Sequence, residues 1–380
     1  MQAPDPDDIP SHQADAAAAD VPLPVRIVSR RRDIWRRWLV ERCFGALFGA
    51  VNRQLCEPGQ LPERGIHRVL ICRPNHRLGN AILISPLLAE VEALYPGAEI
   101  DMISGGHAAH KLFANRFQIR QIISLPSRIA RHLWLSARLL RQLRGNSYDL
   151  AIDASNGSQS GRLLLAIVHA RFKLGFPDER VGHPSAWHDL PCPEHFAQRN
   201  VFLLRRAYAG EVRKAYPPLN MRLSGDDTEQ ARQALAGILG ESAPRQRVVG
   251  IFANATGAKR YDTDWWMQFL DALRARQPDA RIVELVADHG RSLLGEKFPA
   301  YYTRDLVRLA AVIANMQAVI SADCGVMHLA VASGTPTLGL FSVTSAEKYG
   351  PYGSSNSAVD TRALSAAEVA ALASVWLGTH

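Results

Sequence analysis

Short apolar runs alternate along this chain with longer stretches whose apolar positions recur every three or four residues, and glycine, proline or polar clusters separate the two. The first kind of pattern predicts buried strands and the second amphipathic helices. Arg68-Val69-Leu70-Ile71-Cys72-Arg73 reads as a strand, and Ala81 to Tyr95 reads as a helix in which Pro86 either makes a kink or sits in the first turn. Pro96-Gly97 closes that helix, and the strand Glu99 to Ile103 follows. Helical stretches rich in Arg and Leu (127–144) lead to the strand Asp149 to Asp153, then to a helix from Gly161 to Ala170 and the run Arg171 to Phe176. Residues 177–245 are irregular apart from a helix around Asn200 to Tyr208, and Pro217-Pro218 marks the approach to a linker. The alternation then restarts with the strand Arg247 to Phe252, the helix Asp264 to Arg276, the strand Arg281 to Val286 and a helix over 304–315. Strands alternating with helices imply parallel sheets covered on both faces, so the fold class is α/β with two doubly wound, Rossmann-like halves facing a central cleft.

The most informative unit comes late. Ala318 to Ala322 is a strand, Asp323-Cys324-Gly325 a tight turn, Val326 to Ser333 an apolar helix stopped by Gly334, and Thr337 to Phe341 a second strand. Free backbone N–H groups and the positive end of the dipole make such a helix start a seat for a phosphate. Asp323 as a simple helix cap is the alternative reading. A last amphipathic helix, Ser365 to Leu377, is expected to fold back over the first half.

Length and charge add organisation. The 380 residues suffice for two ordinary domains, and the apolar share of 47% is that of a globular protein. Five cysteines (Cys43, Cys56, Cys72, Cys192, Cys324) are scattered without metal spacing, which predicts reduced thiols, a cytoplasmic address and no metal site. The net charge of +8 is uneven. Residues 1–24 hold five aspartates and read as a disordered acidic tail. Residues 25–62 form a basic aromatic segment, within which 30–51 mix Arg with Trp, Leu and Phe. That composition suits a helix lying on an anionic membrane surface, or else one packed on the protein's own body. Nucleic acid is not expected, since no binding module accompanies the arginines. The remaining boundaries are 63–220 for the first domain, 221–355 for the second and 356–380 for the C-terminal helix.

With these residues in view, the chain resembles glycosyltransferase family 9, the ADP-heptose:lipopolysaccharide heptosyltransferases of GT-B fold. The resemblance covers roughly residues 66–355. It rests on Asp323-Cys324-Gly325-Val326-Met327-His328-Leu329-Ala330, on Gly334-Thr335-Pro336-Thr337 and Phe341, and on Tyr349-Gly350-Pro351-Tyr352-Gly353. Leu78-Gly79, Tyr148 to Asp153, and Gly257-Ala258-Lys259-Arg260 ahead of Trp265-Trp266 support it. It implies inverting transfer of a heptose-like sugar from a nucleotide diphosphate, ADP-heptose by resemblance, to a lipopolysaccharide-core or other lipid-linked saccharide, without a cofactor, by a cytoplasmic protein peripheral on the inner face of the cytoplasmic membrane. Two positions depart from the family pattern. Asn80 stands where the family has its catalytic Asp, and Cys324 stands where it has Ser or Thr.

Inverting transfer needs a base for the acceptor hydroxyl, neutralisation of the leaving diphosphate and alignment of both substrates. Lys259 and the Cys324-Gly325-Val326 amides suit the diphosphate, with Asp323 and His328 as further donor-binding candidates. His328 as a packed core residue and Lys259 as a surface lysine are the plainer readings. The base is less well supplied, because Asn80 cannot take a proton and can only orient a ligand or cap a helix after Gly79. His76 in the same loop and Asp153 at a strand end are the candidate replacements, against readings as a solvated loop residue and a turn-former. Arg73 and Arg77 are candidates to grip an anionic acceptor, and Gly79 in the same loop is counted with them on the acceptor side. A non-catalytic sugar-nucleotide-binding protein, or a transferase of the same fold using another nucleotide sugar, are the competing functions.

Overall fold

A computed structural model describes residues 48–125, 141, 143–155, 157–177, 190–212, 215–240 and 247–380. The first half contains β1 (Arg68–Arg73), α1 (Leu78–Ile82), α2 (Ser85–Leu94), β2 (Glu99–Gly105), α3 (Ala108–Phe113), β3 (Ile119–Leu125), β4 (Ser147–Asp153), α4 (Gln159–Ile167), β5 (His169–Leu174) and α5 (Phe196–Ala207). Its five strands run parallel in the order β3-β2-β1-β4-β5. The second half contains α6 (Gly225–Leu239), β6 (Arg247–Phe252), α7 (Thr263–Arg276), β7 (Ala280–Val286), β8 (Ala300–Tyr302), α8 (Leu306–Ala314), β9 (Ala318–Ala322), α9 (Gly325–Ala332), β10 (Thr337–Phe341), α10 (Ala346–Tyr349), β11 (Ser357–Asp360) and α11 (Ala366–Gly378). Its six strands are also parallel, in the order β11-β10-β9-β6-β7-β8.

Strand order reverses direction between β1 and β4 in the first sheet and between β6 and β9 in the second. Ligands of doubly wound folds bind at such switch points, beyond the strands' C-terminal ends. All four strands are apolar and almost fully buried, as expected of parallel strands covered on both faces. The two halves are joined by a continuous apolar core, in which Ile71, Ile82 and Leu87 belong to the same cluster as Val326, Leu329 and Ala330. α1 and α9 meet across this boundary.

Four expectations change. Within 177–245, expected to be irregular beyond the helix around Asn200, α6 is a second helix of 15 residues, started by a capping box in which Ser224 and Asp227 bond each other's backbone N–H. The helix expected from Ala81 to Tyr95 is two helices, and Pro86 lies in the first turn of the second, where its missing N–H is harmless. The last helix does not fold over the first half. Ala366, Val369, Ala370, Ala373 and Leu377 bury themselves against Trp266, Phe269, Leu270 and Leu273 of α7, in the second domain. Residues 48–52 are helical, with Phe48 and Val51 only 3% and 2% exposed. Val51 packs with Leu70, Cys72 and Ile103 of the first sheet, so this end of the 30–51 stretch is occupied inside the protein rather than facing a membrane. Residues 30–47, like most of 127–144 and like Asn156, lie outside the described residues. Among the described residues no helix is long and apolar enough to cross a membrane.

Candidate active site

On the second-domain side the switch point gathers Lys259, Asp323 and Thr344. Lys259 ends a single 3-10 turn, Gly257–Lys259, that follows β6. That turn leads into an aromatic stack: Tyr261 lies on Trp265 at 4.2 Å between centroids, and Trp265 lies on Phe269 at 5.5 Å. Asp262 caps α7 by accepting from the Trp265 N–H at 2.7 Å, and Tyr261 Oη meets Thr361 Oγ1 at 2.6 Å. These contacts fix the turn, and Lys259 Nζ reaches Asp323 Oδ2 at 2.7 Å. The Thr344 hydroxyl donates to the same carboxylate oxygen. Asp323, 5% exposed, therefore does not cap the helix. The N-cap is Cys324, in extended conformation and without a side-chain cap bond, its Sγ 3.5 Å from Ser321 Oγ. Burial pushes the Cys324 thiol up, keeping it protonated. The Val326 and Met327 N–H groups of the first turn of α9 face the Cys324 sulfur, a weak acceptor, rather than an oxygen.

His328 sits one turn into α9, 3% exposed, and its Nδ1 is buried without a hydrogen-bond partner. Burial pushes its imidazole down to about 4; Asp323 opposes that shift, while His195 and Lys259 add to it. The ring is therefore neutral at physiological pH. Its edge faces the first domain: a Cβ on Gly79 would lie 2.7 Å from His328 Cδ2, and one on Gly325 would lie 2.8 Å from Leu78 Cβ. Two glycines let the starts of α1 and α9 touch.

The neutral ring has a consequence for stability. An unfolded imidazole titrates near ~6.5, so the buried neutral form adds stability that is complete above that value. It is lost as pH falls from there toward the folded value of about 4. The loss amounts to as much as ~3 kcal/mol. Thermal melts at falling pH are expected to decline more steeply for the wild type than for His328→Asn, and parallel declines would show that the ring carries no such penalty.

On the first-domain side, Arg73 ends β1, 6% exposed. Its Nη1–H donates to Ala154 O at 2.5 Å and its Nη2–H to Asn80 Oδ1 at 3.0 Å. Burial lowers the guanidinium's pKa, against which Asp153 and Tyr349 act. Asp153, at the end of β4, is 1% exposed. It accepts from Ser155 N–H at 2.9 Å and from the Ser155 hydroxyl, and Gly161 packs so closely that a Cβ there would lie 2.1 Å from its Oδ1. Burial raises its carboxyl. The side chain holds the turn after β4 and does not open on the cleft. Asn80 is half-buried in α1, whose N-cap is Arg77, so it caps nothing. His76 and Arg77 are exposed in the loop between β1 and α1. His76 lines a cleft of about 570 Å³ together with Leu78, His107 and Lys111 from the first domain and Asp288 and Arg304 from the second.

Sequence reasoning missed His195, the N-cap of α5. Its Nδ1 accepts from Ala197 N–H at 3.2 Å, so Nε2 carries the proton and donates to Gly350 O at 3.0 Å. The ring stacks on Tyr352, and Phe196 packs on Tyr349. The Gly350-Pro351 loop is thereby tied to the first domain beside Arg73. A histidine placed just before a helical apolar pattern was the available signal; its partner 155 residues away was not.

Two doubly wound domains that meet at their switch points, one carrying a cation at a helix start, have the GT-B architecture. Residues 136–372 match the profile described as Glycosyltransferase family 9 (heptosyltransferase), and the chain belongs to that family. It is similar to lipopolysaccharide heptosyltransferase 1 of Pseudomonas aeruginosa PAO1, with 27% identity over 304 residues, 76% of this chain and 82% of that one. Two solved structures share its fold. The glycosyl transferase family 9 protein of Veillonella parvula DSM 2008 matches at TM-score 0.66 and 16% identity, covering 83% of this chain and 98% of that one. E. coli heptosyltransferase WaaC with ADP matches at TM-score 0.61 and 19% identity, covering 81% and 99%.

Proposed function

We propose that this glycosyltransferase moves a heptose from ADP-heptose, with inversion, onto a lipopolysaccharide-core or similar lipid-linked saccharide. The observation that carries this reading is the Lys259–Asp323 pair at 2.7 Å beside the first turn of α9, whose Val326 and Met327 amides meet only the weak acceptor sulfur of Cys324. A leaving diphosphate gains charge as the glycosidic bond breaks, and fixed N–H groups plus a held ammonium stabilise that charge without reorganising. Lys259 moves from the carboxylate to the phosphates, and Asp323, still bonded to Thr344, is left to accept from donor hydroxyls. Relatives support the choice of substrates: the P. aeruginosa protein is named for lipopolysaccharide, and WaaC structures carry ADP and ADP-2-deoxy-2-fluoro heptose. The amide at Asn80 favours a second reading, a protein that binds the donor without turning it over.

Calorimetric titration with ADP, UDP and GDP tests the donor. Selective binding of ADP is expected, and no binding of any of the three would overturn the transferase reading. ADP binding with neither transfer nor donor hydrolysis would leave the binding-protein reading.

A further inference from the structure

The Arg73–Asn80 contact decides more than packing. Arginine has five N–H donors and no acceptor, so the amide atom that faces it must be oxygen. The 3.0 Å bond from Arg73 Nη2–H therefore fixes Asn80 Oδ1 toward the guanidinium. Asn80 Nδ2 points the other way. It has no partner among the described residues and is not among the buried unpaired atoms. An aspartate in this position would offer an oxygen there, able to take a proton. This chain offers an N–H, which can only donate.

Among the described residues, the candidate carboxylates and the loop histidine do not replace the missing acceptor beside Asn80. Asp153 is enclosed by Ser155 and Gly161, and Asp323 is held by Lys259 and Thr344. His76 is exposed in the cleft beside His107 and Arg304, whose lining does not include Asn80, and its Nδ1 would lie 3.2 Å from a Cβ on Gly106. Charge points the same way as geometry. With an amide in place of a carboxylate, the buried Arg73 guanidinium has one fewer negative group beside it, and the exposed Arg77 adds another cation to the loop.

We infer that Asn80 is a hydrogen-bond donor to the acceptor, and that the acceptor brings its own base, an anionic carboxylate or phosphate oxygen beside the attacking hydroxyl. This rests on the transferase reading above. Asn80 Nδ2–H holds one oxygen of that group, and a second oxygen takes the hydroxyl proton. The hydroxyl oxygen forms its bond to the anomeric carbon while the bond from that carbon to the diphosphate oxygen breaks, its electron pair leaving with the diphosphate. The proton then passes from the acceptor's acid group to solvent, restoring the anion.

The test uses the full-length protein, ADP-heptose and heptose-deficient lipopolysaccharide offered untreated, carboxyl-methylated or dephosphorylated. Wild-type kcat/KM is expected to fall roughly tenfold or more after the one treatment that removes the essential anion, a charge-assisted hydrogen bond being lost. The treatment that works tells carboxylate from phosphate. Asn80→Ala is expected to raise KM for untreated acceptor while ADP affinity, read by calorimetry, stays the same. Asn80→Asp is expected to lose activity on the untreated acceptor, through like-charge repulsion, and to exceed the wild type on the neutralised one, where it supplies the base. Equal turnover of all three acceptors, or Asn80→Asp outperforming the wild type on the untreated one, would overturn the proposal. So would ADP binding without transfer to any of them, whereas failure to bind ADP would instead overturn the donor assignment.

Discussion

Lys259→Ala is expected to weaken ADP binding by roughly ten- to a hundredfold, the worth of a charge-assisted hydrogen bond, and to reduce kcat/KM by at least that much. Two effects act in the same direction. The diphosphate loses the ammonium, whose side chain is 24% exposed and already positioned at the site. Asp323, 5% exposed, also loses its cation, so a bare carboxylate would stand beside the incoming phosphates. Asp323→Asn added to Lys259→Ala is therefore expected to recover part of the ADP affinity, since the repulsion goes even though the attraction is not restored. Calorimetry on the single and double variants decides it. Unchanged ADP affinity in Lys259→Ala would remove this lysine from the donor site.

Gly79→Ala is expected to reduce transfer by more than about tenfold with a much smaller effect on the fold. A Cβ there would approach the buried His328 ring to 2.7 Å at Cδ2 and the Gly325 Cα to 3.5 Å, so something must shift. Overpacking of this kind costs about 1–3 kcal/mol when the structure absorbs it. Here the cheapest relief is for α1 to move away from α9, which misplaces the two substrates relative to each other. Displacements of about 1 Å at a reacting centre are enough for large rate losses. Gly237→Ala is the control: it lies inside α6 with nothing within 4 Å of its would-be Cβ, so it should be neutral or slightly stabilising. Turnover of Gly79→Ala at the wild-type rate would show that the contact between α1 and α9 has no bearing on alignment.

Much of the fold is legible in the sequence because central parallel strands are continuous apolar runs. β1, β6, β9 and β10 announce themselves that way, and β4 does so through Leu150-Ala151-Ile152. β3, β8 and β11 do not, and each of them is a sheet edge. Edge strands are covered less fully, so their patterns are mixed or too short to stand out, as in the three residues of β8. The amphipathic pattern of α11 shows that one face is buried but not against what, and Trp266, Phe269 and Leu273 lie about a hundred residues earlier. The site divides in the same way. The Asp323 to Ala330 unit is local, and its strand, turn and helix stand as read. The pairing of Lys259 with Asp323, the hold of His195 on Gly350 and the orientation of the Asn80 amide by Arg73 come from tertiary contact, which no local periodicity records.

The glycine contact between α1 and α9 also has a kinematic meaning. Points on a rotation axis do not travel. If one domain swings against the other about this contact, residues far from it sweep wide arcs, while Asn80 and the first turn of α9 stay almost in place. A nucleophile and a leaving group held beside such an axis would stay together whichever way the domains moved. In such a molecule the hinge and the reacting centre share one address.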